Sequence, residues 1–80
     1  MVQAKLFTPD SNWSWYIIEV DRKGDLCFGL VDGHYPELGY FSLKELESVR
    51  GPWGLPVERD IGFEPTRLSV VKRQEERLRR

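Results

Sequence analysis

The chain has 80 residues, of which 40% are hydrophobic and 31% are charged. These fractions are typical of one small globular domain and exclude a disordered chain or a second domain. No apolar run approaches the about 18 residues that cross a membrane, and we expect no secretory signal. The single cysteine, Cys27, excludes an intrachain disulfide and favours a cytoplasmic location.

Charge is unevenly distributed along the chain. Residues 1–71 carry a net charge of −4, and residues 72–80 carry a net charge of +3. We therefore expect a single domain over residues 1–71, followed by a charged helical tail over residues 72–80. A typical nucleic-acid-binding domain carries its basic patch on the fold, so the acidic body argues against direct nucleic acid binding by residues 1–71.

The first half of the chain predicts an antiparallel hairpin. Residues 13–20 are β-branched and aromatic on both faces, which is typical of a central strand covered on two sides. Residues 21–25 predict a turn, and residues 26–32 predict the returning strand. Leu6 and Phe7 lie in a lead-in segment, and we expect them to pack onto the sheet.

The second half predicts further short elements around a capped helix. Ser42 and Glu45 have the spacing of a capping box, so a helix is expected to begin after Ser42. In chain order the expected elements are a loop over 33–39, a short strand over 40–41, a helix over 43–49, one or two short strands within 57–63, and a second helix over 66–79. Together they predict an α+β fold, with a mostly antiparallel sheet of three or four strands and one or two helices packed on it.

Several motifs resemble a bacterial family. They are WSWY at 13–16, ELGYFSL at 37–43, ELE at 45–47 and GPWGLPVERD at 51–60. Together they resemble the domain-of-unknown-function family 2958 over about residues 6 to 68. The resemblance implies a protein of a mobile genetic element, in a context of anti-restriction genes, and it implies no particular enzymatic activity. Anti-restriction and anti-CRISPR roles follow as expectations.

Catalytic and metal-binding signatures are absent from the sequence. Ser42, His34 and Asp32 lack a nucleophile-elbow motif, and Ser42 is better explained as a helix cap. Cys27 lies in the middle of a strand, where a buried inert thiol is usual. The nearby His, Cys, Asp and Glu side chains lack the spacing of a metal site. We therefore expect a non-enzymatic protein with no catalytic residue, no metal and no cofactor.

Six residues are candidates for binding a protein partner, because they are acidic or belong to a stiff aromatic loop. They are Glu19, Asp21, Asp25, Asp32, Glu37 and Trp53. Spaced carboxylates can pair with the Lys and Arg side chains of a DNA-binding groove, although the same acids also serve solubility. Trp53 lies between Pro52 and Pro56, and it either anchors an interface or folds back onto the core.

Two functions are expected from these observations. In the first, the protein is an anti-CRISPR type inhibitor that mimics DNA and stops a Cascade-like CRISPR effector, or a restriction complex, from binding target DNA. In the alternative, it is an accessory or regulatory protein of a mobile element that binds nucleic acid through residues 72–80. Both place the protein in the cytoplasm of a bacterial host, away from membranes, and both leave its oligomeric state open.

Overall fold

The structure is a computed structural model that describes the backbone of residues 1–78 and the side chains of residues 1–75. In chain order its elements are β1 (Ala4–Phe7), β2 (Ser14–Val20), β3 (Leu26–Asp32), β4 (Pro36–Ser42), α1 (Leu43–Leu46), β5 (Glu58–Arg59) and α2 (Leu68–Leu78). The strands form one sheet in the order β4-β3-β2-β1-β5, and neighbouring strands are antiparallel. The predicted α+β fold is confirmed, with five strands rather than three or four.

Two regions form strands that the sequence analysis does not predict, because their strand signals are weak. β1 pairs with β2 from Ala4 opposite Ile17 to Phe7 opposite Ser14, where the sequence indicated only a packed lead-in. β4 begins at Pro36, inside the expected loop over 33–39. A proline has no N–H to donate, but it is tolerated as the first residue of an edge strand.

β2 is the central strand and is covered on both faces, as predicted. Tyr16 on one face is 3% exposed, and Trp15 on the other face is 6% exposed. The pairing of β2 with β3 shifts register between Ile17 and Glu19. Such a bulge interrupts the alternation of faces, so the pattern that the sequence implies for residues 13–20 does not continue past Ile18.

The main core lies between the sheet and α2. Its buried cluster consists of Val2, Tyr16, Leu30 and Val71, against which Ile18, Phe63 and Leu68 pack. Burying apolar side chains of this size contributes about 1.5–3 kcal/mol each. α2 continues through the expected boundary between residues 71 and 72, and residues 79–80 of the predicted tail lie outside the described residues. Neither described helix is long and apolar enough to cross a membrane.

α1 is short, and two side chains cap its first turn. The hydroxyl of Ser42 accepts a hydrogen bond from the N–H of Glu45 at 3.2 Å, as the capping box predicts. Asp25, in the turn between β2 and β3, accepts hydrogen bonds from the Ser42 hydroxyl at 2.9 Å and the Lys44 N–H at 2.8 Å. The start of α1 is therefore tied to the hairpin, although the helix ends at Leu46 and not at residue 49.

Candidate protein-binding surface

Trp53 lies on an exposed loop whose backbone is fixed. Its side chain is 87% exposed, so it does not fold back onto the core. The N–H of Gly54 donates to the carbonyl of Gly51, and the N–H of Gly51 donates to the carbonyl of Leu55, each at 2.9 Å. These hydrogen bonds close residues 51–55 into a tight turn that presents the indole to solvent.

Asp10 ties this loop to the connection between β1 and β2. Its Oδ2 accepts hydrogen bonds from the N–H of Trp53 at 2.8 Å and from the N–H of Leu55 at 3.4 Å. Its Oδ1 is buried and accepts no hydrogen bond from the described residues. This oxygen lies 1.5 Å from the point that a Cβ on residue 51 would occupy, so only glycine fits at Gly51. Asp10 therefore sets the position of the Trp53 loop.

Trp13 lines two apolar recesses, the first of which borders this loop. The first recess has a volume of about 380 Å³, and its apolar walls are Trp13, Trp15, Val49 and Pro52. The second recess has a volume of about 240 Å³, and it is lined by Trp13, Val31, His34, Tyr35 and Glu37. The Trp13 indole stacks on Trp15 at a centroid distance of 6.0 Å and meets the His34 ring edge-on at 5.6 Å. It forms a ridge with an apolar recess on either side.

Backbone and side-chain contacts hold Trp13 in place. The N–H of Thr8 donates to the carbonyl of Trp13 at 3.0 Å, and the hydroxyl of Thr8 accepts from the N–H of Trp13 at 3.3 Å. The indole lies directly over Gly33, because a Cβ at that position would be 2.3 Å from Cζ3 of the ring. The ridge is therefore preformed.

Three of the acids predicted to bind a partner have carboxylates engaged within the fold. Oδ1 of Asp21 accepts a hydrogen bond from the N–H of Asp25 at 2.9 Å, which closes the hairpin turn. Asp25 caps α1, and Asp32 is only 3% exposed. Their contribution to partner binding stays a prediction. Asp32 could contribute only if the side chains that bury it moved away.

The other predicted binding residues, Glu19, Glu37 and Trp53, are exposed. Glu37 lines the recess on one side of Trp13, and the Trp53 loop borders the recess on the other side through Pro52. Glu19 lies toward the opposite end of β2, about 20 Å from Trp13 at the rise of an extended strand. The six predicted residues therefore do not form one surface, but Glu37 and the Trp53 loop flank the same ridge.

A buried polar cluster joins the sheet to α2. The hydroxyl of Tyr16 donates a hydrogen bond to Oε1 of Glu75, and Glu75 also shares a hydrogen bond with Asp32. Burial and the contact with Asp32 raise the pKa of Glu75 above its ordinary value, while Tyr16 and Lys5 act in the opposite direction. Burial, reinforced by Glu75, raises the pKa of Tyr16. The folded state therefore holds the proton of Glu75 more tightly than the unfolded state does, and the hydrogen bond between Tyr16 and Glu75 docks α2 on the sheet.

The cysteine and the histidine, the residues most often used in catalysis or metal binding, do not form a reactive site in the described part of the chain. Cys27 is fully buried, and burial raises the pKa of its thiol, with Asp21 and Asp25 adding to the effect. His34 is exposed. Within the part of the chain that the structure describes, no three His, Cys, Asp or Glu side chains come together as metal ligands.

Sequence reasoning does not identify Asp10 or the ridge at Trp13 as parts of a site. For the ridge a signal exists, because Trp13 and Trp15 are two residues apart and so share a strand face. Asp10 carries no signal, since it lies in a cluster of turn residues where an aspartate is unremarkable. Its role depends on a loop 43 residues further along the chain.

Comparison with known proteins identifies a family but no characterised relative. The family described as Protein of unknown function (DUF2958) matches residues 2–77, which confirms the resemblance carried by the motifs. No curated protein and no solved structure matches the chain.

Proposed function

This chain belongs to the DUF2958 family, and we propose that it is a non-enzymatic binding protein that docks on a protein partner through the Trp53 loop. The proposed partner is a nucleic-acid-targeting defence complex of a bacterial host, either a CRISPR effector or a restriction complex. Docking would block the loading of target DNA sterically and so protect a mobile element in the host cytoplasm. The choice of partner follows the mobile-element context that the family resemblance implies.

The exposure of Trp53 is the observation that supports this proposal. An indole that is 87% exposed leaves a large apolar surface in water, and tryptophan is enriched among the residues that dominate interface affinity. Asp10 fixes the backbone of the loop, so little conformational entropy is lost on binding. Leu55, which is 44% exposed, extends the apolar area of the same loop.

Electrostatic attraction to the partner would come from fewer acids than the composition suggests. Asp21 and Asp25 accept backbone hydrogen bonds, so reversing their charge would alter the hairpin as well as the surface. Glu19 and Glu37 are exposed on strands, and they are the better candidates for attracting a basic groove. Exposed charges of this kind change the association rate and its salt dependence more than the final affinity.

The experiment adds the purified protein to a purified Cascade-type effector and, separately, to a restriction complex, and measures the binding of target DNA. We expect stoichiometric inhibition of one complex. Trp53→Ser should weaken the inhibition about 30-fold, as expected for the loss of about 2 kcal/mol at an interface hot spot. Ile61→Ser is the matched control, because Ile61 is 95% exposed on a different loop. Inhibition that Trp53→Ser leaves unchanged, or inhibition of neither complex, contradicts the proposal.

The competing function is nucleic acid binding through the tail. Lys72 and Arg73 are exposed on α2, which favours this function. Deleting residues 76–80 together with Lys72→Gln and Arg73→Gln removes the basic side chains of the tail and retains Glu75 with its contact to Tyr16. In a gel-shift assay at physiological salt, binding of plain DNA or RNA that disappears in this variant would support the tail, and absence of binding would support the protein partner.

A further inference from the structure

We infer that the two recesses flanking Trp13 bind an extended, proline-containing segment of the partner, with a basic side chain of that segment beside Glu37. The inference rests on the proposed function, because it names the part of a protein partner that this surface would take. It goes further by assigning the ridge between the recesses, and not the Trp53 loop alone, to recognition.

The size and lining of the recesses fit side chains of a protein ligand. Their volumes, about 380 Å³ and about 240 Å³, lie at or below the lower end of the range of about 300–1,000 Å³ for small-molecule pockets. Trp13 and Trp15 supply aromatic surface to the larger recess, and Tyr35, which is 76% exposed, supplies it to the smaller one. Two small aromatic recesses are better suited to separate side chains than to one bulky ligand.

The ridge between the recesses selects the conformation of the ligand. An amphipathic helix needs a continuous apolar groove, and here the Trp13 indole interrupts it. A polyproline II segment repeats every three residues, about 9 Å, and docks on aromatic-lined grooves. A segment in this conformation would place one proline in each recess, on either side of the indole. Such a ligand is already extended before it binds, so its ordering cost is low.

Charge sets the orientation of the bound segment. Glu37 lines the smaller recess, and Arg50 lines the larger one. The Arg50 guanidinium is held by hydrogen bonds that it donates to the carbonyls of Glu47 at 2.8 Å and Val49 at 2.9 Å. A basic ligand side chain is attracted to the Glu37 end and repelled from the Arg50 end.

The test uses the full chain, labelled with ¹⁵N, and a short synthetic peptide with one arginine and two prolines three positions apart. We expect the indole N–H signals of Trp13 and Trp15 to shift on titration. Replacing both prolines of the peptide by alanine should weaken binding about tenfold. Glu37→Arg should weaken binding of the arginine peptide about tenfold and restore it for a peptide with glutamate in place of arginine. Glu19→Arg makes the same charge change about 20 Å from Trp13 and should have little effect.

Several results would overturn the inference. The first is equal affinity for the proline and alanine peptides. The second is no shift of the Trp13 and Trp15 indole signals at millimolar peptide. The third is an affinity for the arginine peptide that Glu37→Arg leaves unchanged. Indole shifts that grow with protein concentration in the absence of peptide would also overturn it, because a second copy of the chain would then fill the recesses. Loss of inhibition in Trp53→Ser without peptide binding would defeat this inference alone. Peptide binding at Trp13 without inhibition of either complex would defeat only the proposed function.

Discussion

Tyr16 of the central strand donates a hydrogen bond to Glu75 of α2, although the two residues are 59 positions apart in the chain. Glu75 shares a second hydrogen bond with Asp32, and the ammonium of Lys5 on β1 lies 5.5 Å from the centre of the Tyr16 ring. Because burial and the contact with Asp32 raise the pKa of Glu75, this carboxyl holds its proton more tightly in the folded state than in the unfolded state. The attachment of α2 therefore depends on pH.

Glu75→Gln should remove this part of the pH dependence of stability. A carboxyl with a raised folded-state pKa contributes stability that is fully present below its ordinary pKa of 4.5 and is lost as the pH rises through the raised value. We therefore expect the free energy of unfolding of the wild type, relative to Glu75→Gln, to fall as the pH rises above about 4.5. Urea unfolding over a series of pH values measures the difference.

Glu64→Gln is the control for this measurement, because Glu64 is exposed and lies outside α2. Its stability should follow that of the wild type across the pH series. A wild type that gains stability relative to Glu75→Gln with rising pH would show that the carboxyl prefers to be charged in the folded state.

Asp10→Ala should release the Trp53 loop. The substitution leaves the N–H groups of Trp53 and Leu55 without their acceptor, and it also removes a buried oxygen that accepts no hydrogen bond from the described residues. These effects offset each other in part, so we expect a net loss of about 1 kcal/mol. Amide hydrogen exchange at residues 53 and 55 should become faster. Glu58→Ala, at an exposed acid on β5, should change stability by less than about 0.5 kcal/mol. Unchanged exchange in Asp10→Ala would mean that the hydrogen bonds within residues 51–55 hold the turn without Asp10.

Gly33→Ala should displace the Trp13 indole. The added methyl group would lie 2.3 Å from the ring, and because Trp13 is 38% exposed the ring can swing outward. We expect a loss of about 1 kcal/mol in stability and a change in the near-ultraviolet circular dichroism, since the ring contacts with Trp15 and His34 would be lost. Gly39→Ala is the matched control, because a Cβ there meets no atom within 4 Å. Equal spectra for the two variants would argue against the close approach at residue 33.

Cys27 should resist thiol reagents in the folded protein. The side chain is fully buried, and burial raises the pKa of the thiol, so the reactive thiolate is both scarce and inaccessible. Labelling with a coloured disulfide reagent at neutral pH should be slow and should accelerate in urea in proportion to the unfolded population. Rapid stoichiometric labelling without urea would mean that the strand around Cys27 opens locally.

The parts of the fold that the sequence predicts are those whose signals are local. Trp15 and Tyr16 point to a central strand covered on two faces, because both faces of this stretch are apolar, and β3 matches its predicted bounds, 26–32. The cap at Ser42 follows from a spacing of three residues. β1 and the start of β4 were not predicted, because Ala4–Phe7 is short and Pro36 is typical of a loop.

The candidate site could be predicted only in part, because long-range contacts create it. The exposure of Trp53 depends on a turn tied down by Asp10, and no pattern near either residue indicates that pairing. Asp25 and Asp32 count as surface charges in the composition, yet one caps α1 and the other is buried. A count of acidic residues does not show which carboxylates a partner can reach, because that depends on the side chains packed around each of them in the fold.

The core cluster has a consequence for synthesis on the ribosome. It joins Val2 to Val71, and Val2 also pairs with Thr66 through two backbone hydrogen bonds. A nascent chain emerges from its N-terminal end, so Val2 leaves the exit tunnel long before its packing partners on α2 are made. The β2–β3 hairpin can form early, but the apolar face of the sheet that packs against α2 stays exposed until α2 has emerged. While that face is uncovered, the chain is most exposed to proteases and most readily bound by chaperones.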